Sequence, residues 1–264
     1  MKLEKKIAVI TGAGRGIGQS IAHAFADEGA DLILAARTRQ QLDRVAAEIK
    51  AKKRKAQAVT CDVSSPTEVE KLAAEVKEKF GRVDILVNNA GISKRSKLSD
   101  YDDDKWLEVI RVNLFGVYLC SKAFLPVMQQ TGEGRIINVA STAGKTPVPF
   151  NTAYSASKHG VLGFTKSLAS EVAISGYPGI TVNAVCPFFV DTEMFRGPRG
   201  YLAQMSEMTG LSEKEVQDKV VGRSLQRRVL EPDEVAAMAL YLASDDARGV
   251  TGQAFNICGG RVFH

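Results

Sequence analysis

The four cysteines of this sequence, Cys61, Cys120, Cys186 and Cys258, stand too far apart to form a CxxC redox pair or a close-spaced metal cluster. That spacing predicts buried, reduced thiols. The three histidines, His23, His159 and His264, are equally scattered and form no HExxH pattern, so a metal hydrolase finds no support and no metal is assigned. No apolar run approaches the roughly 20 residues that span a bilayer. The opening MKLEKKIAVITG passes from a short charged lead into a strand pattern rather than a secretion signal. A cytoplasmic protein with no membrane partner is expected. Repeats, linkers and low-complexity stretches are missing too, which predicts one domain over 1–264. Charge bias is small: 35 Lys and Arg against 30 Asp and Glu leave +5, which suits anionic small molecules better than nucleic acid. The basic run AKKRK at 51–55 has no interleaved aromatics to stack bases and reads as a solvated helix end.

What the sequence does have is alternation. Short Val- and Ile-rich runs (KIAVI, DLILAA, AQAVTC, VDILVN, GRIINVA, ITVNAV and QAFNIC) are each separated by segments of helical periodicity. Hydrophobic runs of that length between helices predict an α/β fold, a doubly wound parallel sheet of about seven strands with helices on both faces. Ser65, Pro66 and Glu68 read as N-cap, first helical position and capping-box acid of a helix ending at Gly81. The pattern loosens between about residues 191 and 228, where Gly, Pro, Met and Arg cluster, and this stretch reads as a substrate lid.

Directly after the first strand comes TGAGRGIG, with Gly12, Gly16 and Gly18, and then a helix. Glycines at such a junction let the backbone turn tightly and approach a diphosphate, whose charge is attracted by unpaired N–H groups at the helix start. A merely tight turn is the bland alternative. The spacing does not fit GxGxxG, because counting from Gly12 or Gly14 puts Ile17 or Gln19 where the last glycine belongs. The second strand ends Ala35, Ala36, Arg37, Thr38, without the acid that would pair with the ribose hydroxyls of NAD. Arg37 could instead meet a 2′-phosphate, although it also reads as a solvated surface group.

Tyr154 and Lys158 lie four apart in a segment of helical period, so both side chains emerge from one face a turn apart. A tyrosine hydroxyl of pKa about 10 is a poor base at neutral pH, and a neighbouring ammonium lowers that value. Taken alone, such a pair is commonly an amphipathic edge.

The TGxxxGxG turn, NNAG at 88–91, VNLFG containing Asn113, the Ser141 that ends INVAS, and YSASK at 154–158 occur in the order found in the short-chain dehydrogenase/reductase family, which the chain resembles over nearly its whole length. That resemblance implies a Rossmann-like fold and an NADP(H)-dependent oxidoreductase interconverting a ketone and a secondary alcohol. It implies that Tyr154 transfers the proton, Lys158 holds the nicotinamide ribose, Ser141 holds the substrate oxygen and Asn113 fixes a relay water. By the same resemblance, cofactor contacts fall to Gly12, Arg15, Gly16, Ile17 and Gly18, with Arg15 as a second basic residue beside Arg37. Asp62 and Val63 then lie beside the adenine, Asn88, Asn89, Ala90 and Gly91 along the ribose, and Pro187 and Thr192 near the nicotinamide. The chain departs from the family pattern where Phe188 follows Pro187 in place of glycine, and at NICGG near its end.

TVNAVCP and VTGQAFNICGG resemble ketoreductases acting on 3-oxoacyl or polyketide chains. Lys94, Arg95, Lys97, Arg196 and Arg199 could suit a thioester or another anionic ketone, or could be solvated loop charges. An NAD(H)-dependent alcohol dehydrogenase for a hydroxy acid, sugar or steroid-like alcohol, and a catalytically idle dinucleotide-binding regulator, remain the alternatives. The helices at 114–128 and 159–173 are apolar beyond one sheet-facing stripe. With the family's habit of pairing such helices, this predicts a homo-oligomer, either dimer or tetramer.

Overall fold

The computed structural model describes residues 1 to 264. The seven Val- and Ile-rich runs form β1 Ile7–Thr11, β2 Asp31–Ala36, β3 Ala56–Thr60, β4 Ile85–Asn88, β5 Glu133–Val139, β6 Gly179–Pro187 and β7 Ala254–Ile257. All pair in parallel, in the order β3-β2-β1-β4-β5-β6-β7. The sheet thus winds one way from β1 and the other way from β4, and Ala8 pairs with Ile85 where the direction reverses. In sheets of this kind a crevice opens beyond the strand ends at that switch point.

Successive side chains divide between two buried faces. On β1, Ala8 and Ile10 enter one apolar cluster and Val9 the other; on β2, Leu32 and Leu34 part from Ile33 and Ala35. Helices α1 Gly16–Asp27, α2 Arg39–Ala51 and α10 Pro232–Ala243 cover the first face with Phe25, Leu42 and Leu242. The second face is covered by α3 Pro66–Phe80, α5 Gly116–Gln129 and α6 Thr152–Ile174, with Leu72, Phe124 and Val172. Each such side chain contributes about 1.5–3 kcal/mol on burial. Burial on both sides is why the strands read as continuous hydrophobic runs rather than alternating ones.

Local signals hold with one change. Ser65 caps α3 through Glu68 N, Pro66 takes the first position, and Gly81 ends the helix at φ +68°. Glu68, however, does not close a capping box; its carboxylate accepts from Asp62 N at 2.8 Å and so ties the helix start to the loop after β3. The 51–55 run is the solvated helix end its composition suggests: all but Arg54 are exposed, and Lys52, Arg54 and Lys55 form surface pairs with Asp27, Glu4 and Asp31.

Helix α4 Asp103–Ile110 runs into α5 through a π-helical turn, Arg111–Phe115. The continuous 27-residue helix contains a window of mean hydropathy 1.2, long and apolar enough to cross a membrane by length and composition, with half of that window buried. Its buried side, including Cys120 and Phe124, belongs to the second core. The stretch 191–228 is more ordered than its sequence pattern. It carries α7 Glu193–Arg196, α8 Tyr201–Thr209 and α9 Glu213–Val221, which share a small core of Phe195, Tyr201, Leu202, Val216 and Val220. All four cysteines are unpaired and buried, as their spacing predicts.

Candidate active site

The turn after β1 is organised by Thr11. Its Oγ1 accepts from Asn89 N at 3.0 Å and Ala90 N at 3.1 Å, and Asn89 Nδ2 donates to Thr11 O at 2.9 Å and Gly12 O at 3.1 Å. The ends of β1 and β4 are thereby laced together at the switch point. Gly12 and Gly16 have φ of +65° and +55°, a region that penalises a side chain. Gly18 meets a different need. A Cβ there would lie 2.3 Å from Gly12 O and 2.4 Å from Asn89 Nδ2, so α1 can approach the turn only without one. Helix α1 begins at Gly16 with no side-chain cap and no acid in its first turn, leaving its N–H groups and dipole facing the crevice.

Except for Gly18, Asn88 and Asn113, every residue selected from sequence for the reaction or the cofactor lines one cavity of about 310 Å³. Gly18 serves packing behind the wall. Asn88 does not run along a ribose site: it is buried within the sheet, where Nδ2 donates to Asn138 Oδ1 at 2.8 Å and Ser121 Oγ at 3.1 Å. At the far end of the cavity, Arg37 is mostly exposed with Nη1 3.9 Å from Asp62 Oδ2. Arg15 is ion-paired with Glu193 at the start of α7.

Tyr154 lies in the first turn of α6 with Lys158 one turn on. Ser141 follows β5; its Oγ accepts from Ala143 N at 3.1 Å and donates to Pro187 O at 3.5 Å. Burial pushes the Tyr154 hydroxyl above its ordinary value, while hydrogen bonding with Ser141 and the charge of Arg95 pull it back and Cys186 adds to the rise. This differs from the expectation that Lys158 depresses it. Lys158 Nζ donates instead to Val139 O at 2.7 Å, 5.5 Å from the centroid of the Tyr154 ring. Burial also brings the lysine down to about 8, against a smaller opposing effect of Cys186. Both groups lose hydration, and that loss is the largest influence on each.

The lysine shift has a sign that can be checked. Between about 8 and 10.5, Lys158 is neutral in the folded protein but protonated in the unfolded chain, so its contribution to stability rises with pH across that window and is lost as pH falls through 8. Urea unfolding of wild type and Lys158→Met is therefore expected to give a free-energy difference that shifts in favour of wild type across those pH values. Parallel curves would show an unperturbed lysine.

Asn113 sits in the π-helical turn and is fully buried. Its Oδ1 accepts from Ile92 N at 2.8 Å, and Nδ2 donates to Ile92 O at 2.9 Å and Ser157 Oγ at 3.1 Å. The amide thus clamps the segment after β4 to α6. A Cβ on Gly91 would lie 3.3 Å from Asn113 Oδ1 and 3.8 Å from Lys158 Nζ, so the missing side chain leaves a space that both polar atoms border. π-Turns of this kind frequently mark functional sites.

Three further features border the site: Arg95, one of the loop cations read from sequence as suited to an anionic ketone, and the Phe188–Phe189 pair and Asn151, which were not assigned to it. Arg95 stacks on Tyr201, its guanidinium carbon 4.4 Å from the ring centroid. Phe188 and Phe189 pair edge to face with centroids 4.7 Å apart, and Phe189 continues to Tyr201 at 4.3 Å, giving the cavity an aromatic wall. Asn151, fully buried, precedes Tyr154 by three residues. Its amide satisfies its surroundings when Nδ2 donates to Lys94 O at 3.0 Å and Oδ1 accepts from Arg95 Nη2 and Ser93 Oγ, each at 3.2 Å. Arg95 and the double phenylalanine were visible in the sequence; Asn151 was not.

Comparison with known proteins agrees with this architecture. A variant of actinorhodin polyketide ketoreductase, crystallised with NADPH, superposes with a TM-score of 0.91 at 42% identity over 97% of each chain. A candidate ketoacyl reductase of Streptomyces coelicolor is 42% identical over 97% of each sequence. A 3-oxoacyl-[acyl-carrier-protein] reductase of Synechocystis is 38% identical over 98% of each. The family model described as short chain dehydrogenase matches residues 6–199, which take in the glycine turn, the NNAG segment and the Ser-Tyr-Lys wall. By that match and these relatives, the chain belongs to the short-chain dehydrogenase family.

Proposed function

We propose that this protein is an NADP(H)-dependent reductase that interconverts a ketone and a secondary alcohol, with 3-oxoacyl or related carbonyl compounds as its substrate class. The observation that carries this reading is that Ser141, Tyr154 and Lys158 share one cavity with the uncapped start of α1, Arg15 and Arg37. A dinucleotide fits those residues. The turn is open where Gly12 and Gly16 lack side chains, the α1 N–H groups face the crevice, and Arg37 has no carboxylate closer than 3.9 Å to compete with a 2′-phosphate. Likeness to an NADPH-bound ketoreductase supports the same cofactor. When bound, the nicotinamide supplies or accepts the hydride.

The remaining work belongs to the protein's own groups. Tyr154, held above its ordinary pKa, keeps its proton at neutral pH and can donate it to the substrate oxygen. Ser141, whose hydroxyl lines the same cavity, positions the oxygen beside it. Lys158 holds a ribose hydroxyl, and Asn113 with Lys158 borders the space through which Tyr154 is reprotonated. Residues 191–228 act as the lid, with Glu193 of α7 reaching Arg15 across the crevice. The substrate is a small carbonyl compound, free or carried as a thioester.

NADPH absorbance followed against 3-oxoacyl thioesters, simple ketones, quinones and keto sugars, with NADH in parallel, tests the reading. Carbonyl-dependent oxidation faster with NADPH is expected; binding without turnover across the panel would instead make the protein an idle dinucleotide sensor. Pairing between copies belongs to the same reading, because Leu107, Phe115 and Tyr118 leave apolar surface along α4, the π-turn and α5. Sedimentation at micromolar concentration is expected to show dimers or tetramers, and monomers alone would count against it.

A further inference from the structure

Arg95 is a cation without an anion. Its neighbour Lys94 pairs with Glu108, yet no carboxylate reaches Arg95, and its Nη1 is buried with no hydrogen-bond partner at all. The guanidinium lines the cavity that holds Tyr154 and Ser141. Two contacts fix its plane: the Tyr201 ring beneath it at 4.4 Å, and Asn151 Oδ1 accepting from Nη2 at 3.2 Å. A guanidinium largely removed from water without an anionic partner is costly to keep in a folded protein. Burial accordingly pulls Arg95 below the ordinary arginine value, and the tyrosines 201, 154 and 101 only partly offset it. The side chain is held for a purpose that the protein's own residues do not fulfil.

We propose that Arg95 is the recognition group for a carboxylate on the substrate, so that the preferred ketones are oxo acids with an apolar or aromatic body. The word substrate rests on the ketone-reductase reading above; the anion site does not. A monoanion fits better than a phosphate, because the guanidinium has a single unsatisfied nitrogen, Nη1, and lines a cavity whose other walls include the apolar Phe188, Phe189 and Val148. A planar carboxylate is also the shape that a guanidinium edge binds with direction. The placement couples recognition to chemistry. Asn151 joins Arg95 to the head of α6, three residues from Tyr154. A carboxylate on Arg95 also cancels the cation that draws the Tyr154 hydroxyl toward ionisation, leaving that hydroxyl protonated while an oxo acid is bound.

The test compares isosteres differing in one charge. Binding of 2-naphthoate and 2-naphthamide is measured by calorimetry on cofactor-free and NADP⁺-loaded protein, and kcat/KM is measured for 4-acetylbenzoate and 4-acetylbenzamide. A charge-assisted contact predicts that the carboxylate is favoured by about tenfold or more in wild type. The ratio is expected to collapse toward unity in Arg95→Met and to survive in part in Arg95→Lys, which keeps the charge and serves should the methionine variant not fold. Equal binding of acid and amide by wild type, or an unchanged ratio in either variant, overturns the proposal. Discrimination in binding without any carbonyl-dependent NADPH oxidation keeps the anion site and refutes the reductase reading. Turnover without discrimination does the reverse.

Discussion

Tyr154→Phe is expected to lower kcat for ketone reduction by about 100- to 10,000-fold, the usual contribution of a positioned general acid. The effect should fall on kcat rather than on NADPH affinity. The phenyl ring that packs at the head of α6 is retained, and the hydroxyl it loses is neutral at pH 7, because burial holds Tyr154 above its ordinary pKa. No charge near a bound dinucleotide therefore changes. The stability cost should be small, about 0.5–1.5 kcal/mol for removing one hydroxyl while the ring is kept. Unfolding curves of the two proteins would then nearly coincide while turnover differs by orders of magnitude. Stopped-flow NADPH oxidation with a good ketone, beside a urea titration, separates these quantities. Ordinary turnover in the variant would remove Tyr154 from proton transfer and shift attention to another donor in the same cavity.

The frame that positions this tyrosine is legible in sequence because it depends on strong periodic signals. Seven Val- and Ile-rich runs between helices require a parallel sheet, and a glycine-rich turn after the first of them puts a diphosphate site at the switch point. Features that depend on one residue, or on burial, are not legible in the same way. The π-turn at Arg111–Phe115 changes the helical register by a single residue, which leaves no trace in the periodicity of the 27-residue helix and yet sets Asn113 against Ile92. The stretch 191–228 reads as loose because helices of four and nine residues offer too few turns for an apolar stripe. Ser212 and Glu215 nevertheless form a capping box there that spacing alone could have found.

Adjacency and energetics also part company. Four-residue spacing places Lys158 beside Tyr154, but how the two influence each other depends on water, and the sequence carries no measure of how far the cavity excludes it. Once both are buried, the lysine falls to about 8 and turns its ammonium to Val139 O. The cation that acts on the tyrosine is Arg95, 59 residues earlier in the chain. Asn88 and Gly18 show the same limit. Both belong to motifs that the resemblance assigns to the cofactor, and both are placed by packing behind the wall that Asn89 and Gly16 line.

Arg37→Asp is expected to reduce the ratio of NADPH to NADH efficiency by about 100- to 1,000-fold. Two contributions combine. Loss of a charge-assisted contact to a 2′-phosphate costs about 1.5–3 kcal/mol, and the introduced carboxylate repels that phosphate while offering an acceptor to the ribose hydroxyls of NADH. Arg37 is well placed to act in this way, since it stands just past β2, is mostly exposed, and has Asp62 only at 3.9 Å. Arg37→Ala separates the two contributions by removing attraction without adding repulsion, and its effect should be the smaller. Arg15→Ala should be smaller again, because Glu193 already neutralises Arg15 and the phosphate gains less from it. Parallel kcat/KM measurements at fixed ionic strength check the order, which matters because exposed charges are screened by salt. An unchanged ratio in Arg37→Asp would mean that this guanidinium faces solvent in the loaded enzyme. Cofactor choice would then have to come from the uncapped start of α1 and the Arg15–Glu193 pair, where no charge has been altered.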